Sequence, residues 1–312
     1  MTTLTSPGGL ETALRGNPRR HRKEASIKWL FFGAAAFSVV ISGLIVFSLI
    51  GEAWTFVSQV EAAALWGDQW APRFGEYDIK TLLIGSLIVT TVAMCVAVPI
   101  GLGAAVYLSE YANSRVRKVL KPTLEILAGI PSVVLGFFAL TWIAPEIVQR
   151  FFDSAGIFSL AAAGLGVGLL TIPLMASVSE DAMRSVPGAL REASAGLGAR
   201  KLSTTVKVVL PAAVSGLVAA GIVTVSRAIG ETMVVFIAAG GAGNQTQFTT
   251  NPLDPGSTMT AAMAAQASGT DAVVGEALTF QSLFFVGILL FIITLGLNVL
   301  ADRFVRRVRE AY

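Results

Sequence analysis

Val186-Pro187-Gly188-Ala189-Leu190-Arg191-Glu192-Ala193-Ser194-Ala195-Gly196-Leu197-Gly198, followed after nine further residues by Val208-Val209-Leu210-Pro211, is the stretch on which the reading of this chain turns. Pro187 pre-sets φ for a helix start, and Glu192 follows within about a turn. Gly196 and Gly198 then weaken helix continuation. Pro211 opens the next apolar run, where a missing N–H costs least. This chemistry predicts a short helix, a tight bend and a second short helix lying across a membrane surface. A plain surface loop would be more polar and less punctuated.

On both sides of this stretch the chain is too apolar for water. Of its 312 residues 54% are hydrophobic and 14% charged, with mean hydropathy +0.70, where a soluble domain carries about 25% charged residues. Six apolar segments reach the roughly 20 residues that a span needs. They cover Ile27 to Ile50, Ile79 to Leu108, Thr123 to Ala144, Phe158 to Ser179, Pro211 to Ala239 and Phe280 to Leu300. No alternating barrel pattern occurs, so all six read as helices, whose backbone satisfies itself in lipid. The fold class is therefore an all-α integral membrane protein with six transmembrane helices. The second and fifth segments exceed a perpendicular span, which predicts tilt or protruding ends. The first is longer than a signal-peptide core and reads as a retained anchor.

Nineteen of the 23 Lys and Arg fall in four places. These are residues 1–28, the stretch holding Arg115, Arg117, Lys118 and Lys121, the loop holding Arg184, Arg191, Arg200, Lys201 and Lys207, and the tail from Arg303. The alternate loops hold only Arg73 and Arg150. The positive-inside rule puts both termini in the cytoplasm of a multi-pass cell-membrane protein. The outer loop 51–78 carries Trp54, Trp66 and Trp70, which read as interfacial anchors. The outer loop 240–278 is too long for a simple turn. The organisation expected is a basic cytoplasmic tail at 1–26, a first helix and loop at 27–73, a transmembrane domain at 74–303 with its cytoplasmic loop at 180–210, and a tail at 304–312.

Several chemistries are excluded. One cysteine, Cys95, and one histidine, His21, leave no disulfide framework, catalytic triad or zinc site. Cys95 itself reads as a small packed residue. No Walker A sequence occurs. Gly164, Gly166 and Gly168 lie inside an apolar span, where small residues serve close helix packing. Pro99, Pro131 and Pro173 read as packing kinks. No catalytic residue, metal, cofactor or nucleic-acid partner is expected, and the chain is not read as an enzyme.

Glu192-Ala193-Ser194, three residues, Gly198, nine residues, then Val208-x-Leu210-Pro211 resembles the EAA loop of ABC-importer permeases, with Ser194 for the second Ala and Val208 for Ile. Leu108-Ser109-Glu110-Tyr111-Ala112, Glu125 to Val134 and Arg227-Ala228-Ile229-Gly230-Glu231-Thr232-Met233 are similar to the phosphate importers among them. The Glu-Thr-Met continuation resembles the PstC-type subunit rather than its PstA-type sister. The resemblance implies a type I importer permease fold and half of a phosphate pathway. It also implies three partners: a second, PstA-like permease, PstB-like ATP-binding subunits that hydrolyse the ATP, and an extracytoplasmic PstS-like phosphate-binding protein. Glu192, Ala193, Ser194, Gly198, Leu210 and Pro211 would form the loop that docks on the ATPase.

Arg227 falls within the fifth apolar segment, where a charge costs roughly 2.5–3.5 kcal/mol. Glu231 follows at i+4. The two form either an internal ion pair that locks packing or a cation oriented by its carboxylate for a passing oxyanion. Arginine suits the second role, because its planar fork bonds two oxygens at once. The resemblance implies that this pair serves phosphate passage. Import of phosphonate or molybdate is the alternative within the class. A self-sufficient secondary transporter is the rival, and would need more carboxylates within spans than Glu231 and Glu125.

Overall fold

Helix α1 (Pro18–Gln59) takes in the first apolar segment and continues beyond both of its ends. The computed structural model describes residues 18–240, 246–268 and 278–310. It divides into two bodies at Gly51. In the first, Trp29 and Phe32 on α1 meet edge to face with centroids 5.6 Å apart. The second body, from Glu52 on, holds the rest of the fold.

After α1 the chain folds back through strands β1 (Gln69–Ala71) and β2 (Glu76–Tyr77). Both β2 and β3 (Thr246–Gln247) pair antiparallel with β1, so the far loop completes a small sheet of order β2-β1-β3. Trp70 is therefore no interfacial anchor: the strand turns it inward, 3% exposed, against Tyr77 and the cluster around Phe56. Trp54 and Trp66 stay exposed.

Helix α2 (Ile79–Val106) starts where the Asp78 carboxylate accepts the Lys80 N–H at 3.1 Å and the Thr81 hydroxyl at 2.6 Å. It ends in a widened turn in which the Ala112 N–H reaches back to the Tyr107 carbonyl. Ala93 and Ala97 take its buried face, so Cys95, on the opposite face, is exposed rather than packed.

The third apolar segment is not one helix. Asn113 caps α3 (Ser114–Ala128), which is amphipathic and carries Arg115, Arg117, Lys118 and Lys121. The chain breaks at Gly129, Ile130 and Pro131, because a residue before proline is pushed out of the helical region. Helix α4 (Ser132–Phe138) then widens into a π-type stretch (Ala139–Gln149), and the span shifts to Ser132–Gln149.

Helix α5 (Leu160–Arg184) is capped by Ser159 and by two carbonyls of the far loop, those of Asp254 and Pro252. Its glycines are contact points. A Cβ on Gly164 would lie 2.7 Å from Val92 Cβ, and one on Gly168 would lie 3.1 Å from the Ala93 carbonyl. Gly101 on α2 answers against Met175 at 2.7 Å. Close backbone approach, not phosphate binding, explains these glycines. Around them, Val89, Ala93, Ala163, Val167, Val234 and Val235 form the main core.

Helix α6 (Gly188–Gly196) follows, then α7 (Lys201–Thr204), a π-type turn (Thr205–Val209) and α8 (Leu210–Ile229). The second short helix expected on the membrane surface is instead the first part of one rod, Lys201–Ile229. Pro211 lies inside that rod and not at its start. The turn before it opens so that the Leu210 N–H bonds the Thr205 carbonyl, which accommodates the missing donor.

The fifth segment also ends early. After Ile229 the chain breaks at Gly230–Thr232 and resumes in the short α9 (Met233–Ala238). Helix α10 (Met259–Ala267), capped by Thr258, and the long α11 (Thr279–Glu310) complete the order. Among the described residues six helical stretches are long and apolar enough to cross a membrane.

Candidate functional site

Arg227 sits in the last turn of α8 and not at the middle of a span, because the helix stops at Ile229. There its charge complements the helix dipole. Its Nη1 donates to Glu231 Oε2 at 2.7 Å. The guanidinium side chain is 46% exposed and Glu231 only 3%. Among the described residues Nη2 and Nε have no partner, so the rest of the fork is open to the surroundings.

Glu231 is held from three directions. Its Oε1 takes a long 3.5 Å bond from the Val234 N–H at the start of α9. Its own N–H bonds the Ala228 carbonyl at 3.2 Å, and its carbonyl accepts the Thr260 hydroxyl of α10 at 2.8 Å. The pair therefore lies on the joint between α8 and α9, with α10 as its backing.

The loop residues lie toward the other end of α8, on two elements. Pro187 caps α6, and Glu192 and Ala193 face outward on it. Its C-terminus is a Schellman motif: the Gly198 N–H bonds the Ala195 carbonyl at 2.9 Å and the Ala199 N–H bonds the Ser194 carbonyl at 3.1 Å. Gly198 has φ +76°, the left-handed conformation that this motif requires. Ser194 Oγ and Thr204 Oγ1 share a hydrogen bond of 2.8 Å across the bend. Leu197, at its tip, is 90% exposed. Leu210 and Pro211 belong to the rod beyond and are separated from the tip.

Residues 97–310 match the family model of binding-protein-dependent transport system inner membrane components. The chain belongs to that family. It is 37% identical over 194 residues to a probable ABC transporter permease, YqgH of Bacillus subtilis (strain 168), a match covering 61% of each chain. The chain thus spans about three fifths of that relative. It is 29% identical over 293 residues to the phosphate transport system permease protein PstC of Mesorhizobium japonicum, covering 88% of both. A solved bacterial ABC transporter for import of the acidic polysaccharide alginate shares the fold, with TM-score 0.59 and 14% identity over 91% of this chain and 99% of that one.

In this inner membrane component the basic end of the bundle holds a charge network that sequence spacing does not reveal. Glu180 on α5 is fully buried, and Lys121 Nζ on α3 lies 2.7 Å from it. Arg117 and Arg184 approach its Oε1 at 3.5 and 3.6 Å. Lys121 also meets Asp181 at 2.6 Å. Burial pulls the Lys121 ammonium down, but the Asp181 and Glu180 carboxylates outweigh it and hold the group above its ordinary value. Arg191, one residue before Glu192, meets Glu110 at the end of α2. In sequence these partners lie far apart: Lys121 and Glu180 by 59 residues, Arg191 and Glu110 by 81. Only the quoted motifs Leu108 to Ala112 and Val186 to Gly198, each holding one partner of the second pair, pointed to them.

Proposed function

We propose that this chain is the PstC-type permease subunit of an ATP-driven phosphate importer and forms half of its translocation pathway. The likeness to a phosphate permease along 88% of both chains carries the reading. The open edge of the Arg227 fork supports it, since a guanidinium with free donors suits a tetrahedral oxyanion. Glu231 orients the cation and moderates its attraction, so that phosphate enters and still leaves.

The charge split orients the protein. By the positive-inside rule both termini and the loop 180–210 are assigned to the cytoplasm, and the sheet with the loop over α5 to the outside. On this reading residues 1–26 and 304–312 are cytoplasmic tails, 27–73 the first helix and its loop, and 74–303 the permease domain. Glu192, Ala193, Ser194, Gly198 and the exposed Leu197 present a docking surface to an ATPase subunit, with Leu210 and Pro211 anchoring the rod behind it. A second permease completes the pathway, a phosphate-binding protein delivers from outside, and ATP hydrolysis belongs to the partner. Closure of the ATPases displaces the docking loop and switches the cavity from outward to inward.

The test is uptake into proteoliposomes holding the assembled complex. Phosphate is expected to drive ATP hydrolysis and to accumulate. If phosphonate or molybdate does so and phosphate does not, the substrate is wrong while the family stands.

A further inference from the structure

We propose that Arg191 is a positioning residue that clamps α6 to the ends of α2 and α5, so that the three segments travel as one rigid body when the loop is displaced. The proposal rests on the docking role of the loop given above.

Arg191 grips Glu110 with two prongs, Nη2 to Oε1 at 2.9 Å and Nε to Oε2 at 3.4 Å. The Glu110 side chain is 6% exposed. The same guanidinium donates from Nη1 to the Val186 carbonyl at 2.7 Å and from Nη2 to the Met183 carbonyl at 2.9 Å. One side chain of α6 thus holds the end of α2, the end of α5 and the turn between α5 and α6. Arg117 on α3 ties the same two helix ends. It reaches the Leu108 carbonyl at 3.1 and 2.8 Å and Glu180 at 3.5 Å.

No residue of α6 is buried, so apolar packing does not fix it. Among the described residues its side-chain hydrogen bond toward the rod is the Ser194–Thr204 hydroxyl pair, across the left-handed Gly198 bend. Toward α2 and α5 it has charge-assisted, directional bonds, which are the stronger kind. Displacement of α6 therefore passes into α2 and α5, and the glycine contacts Gly101–Met175 and Gly164–Val92 keep those two from sliding independently. Ion-pair and hydrogen-bond networks of this sort carry coupling between distant sites.

The experiment uses the whole reconstituted complex with Cys95→Ala in this chain. Arg191→Gln and Glu110→Gln are each expected to keep the ATPase subunit bound through purification. Phosphate uptake and stimulation of ATP hydrolysis by the loaded binding protein should fall on the order of ten-fold or more, the size of a lost coupling term. Glu110→Cys combined with Arg191→Cys should be equally impaired, and joining the two thiols with a short bifunctional reagent should restore uptake until the link is cleaved. Wild-type uptake by Arg191→Gln would overturn the proposal. So would loss of the ATPase subunit from that variant, which would make Arg191 part of the docking surface. A cross-linked pair that stays inactive would mean that the segments separate during the cycle. Phosphate uptake by the unsubstituted complex, run in parallel, tests the proposed function separately.

Discussion

Gly198 and Gly196 lie two residues apart and look alike in the sequence, yet their backbones ask for different things. Gly198 carries φ +76°, whereas Gly196 is helical with open space where a Cβ would stand. A side chain at Gly198 costs about 1–2 kcal/mol in the left-handed conformation, while Gly196→Ala gains up to about 1 kcal/mol of helix propensity. Gly198→Leu should insert normally but lose ATPase association and uptake, and Gly196→Ala should retain both. Co-purification and uptake measured side by side check this, and equal behaviour of the two variants would sink the bend as the reason for the glycine. At the joint, Arg227→Gln should assemble and fail to transport, and Arg227→Lys should recover only part, because a point charge lacks the fork. Replacing Arg227 and Glu231 together with apolar residues of similar volume discriminates further. Such swaps are often tolerated in a structural ion pair, so wild-type uptake by the double variant would remove Arg227 from the pathway.

At the level of elements, the contact between α2 and α5 depends on glycines at which side chains or backbone of the facing helix already stand. Gly164→Val places its Cβ against Val92, at 2.7 Å before any relaxation. Overpacking of this kind costs about 1–3 kcal/mol, so thermal unfolding of the purified complex should shift down, whereas Gly103→Ala, with nothing within 4 Å, should not lower it. The hold of α3 on α5 is electrostatic. Glu180→Ala leaves Lys121, Arg117 and Arg184 without their buried partner. The loss should be about 2 kcal/mol, below the roughly 3–5 of a fully buried pair because those cations reach water. Asp181→Ala removes an exposed carboxylate and should cost at most about 1 kcal/mol. Because the Lys121 ammonium is held above its ordinary value, its contribution is complete at neutral pH and is lost only as pH rises through that raised value. Lys121→Met should flatten the alkaline end of the stability profile.

For the whole molecule the first prediction is topology. In a Cys95→Ala background, Asn251→Cys and Glu61→Cys should react with an impermeant thiol reagent from outside, and Lys118→Cys and Arg200→Cys only after the membrane is opened. Outside labelling at Arg200 would invert the orientation. What the sequence determined by itself is the class of molecule and the parity of its crossings. Both follow from one-dimensional quantities, the length of apolar runs and the side on which Lys and Arg accumulate, and no contact is needed to read them. The loop was legible for the same reason, since proline and glycine act on the backbone at their own positions. Hydropathy is blind to a helix that breaks without becoming polar. The third and fifth segments each read as one apolar run, and only the structure parts them, at Pro131 and at Gly230–Thr232. The second break moves Arg227 from the middle of a presumed span to a helix end, where Glu231 meets it with one oxygen and the first turn of α9 with the other. Trp70 and Cys95 had no local signal to say which way they face, because pairing with β3 and packing against α5 decide that. The buried Glu180 and the Arg191–Glu110 clamp are likewise products of tertiary structure. Their partners are separated along the chain, and a charge reveals its partner only once folding has brought the two within hydrogen-bonding distance.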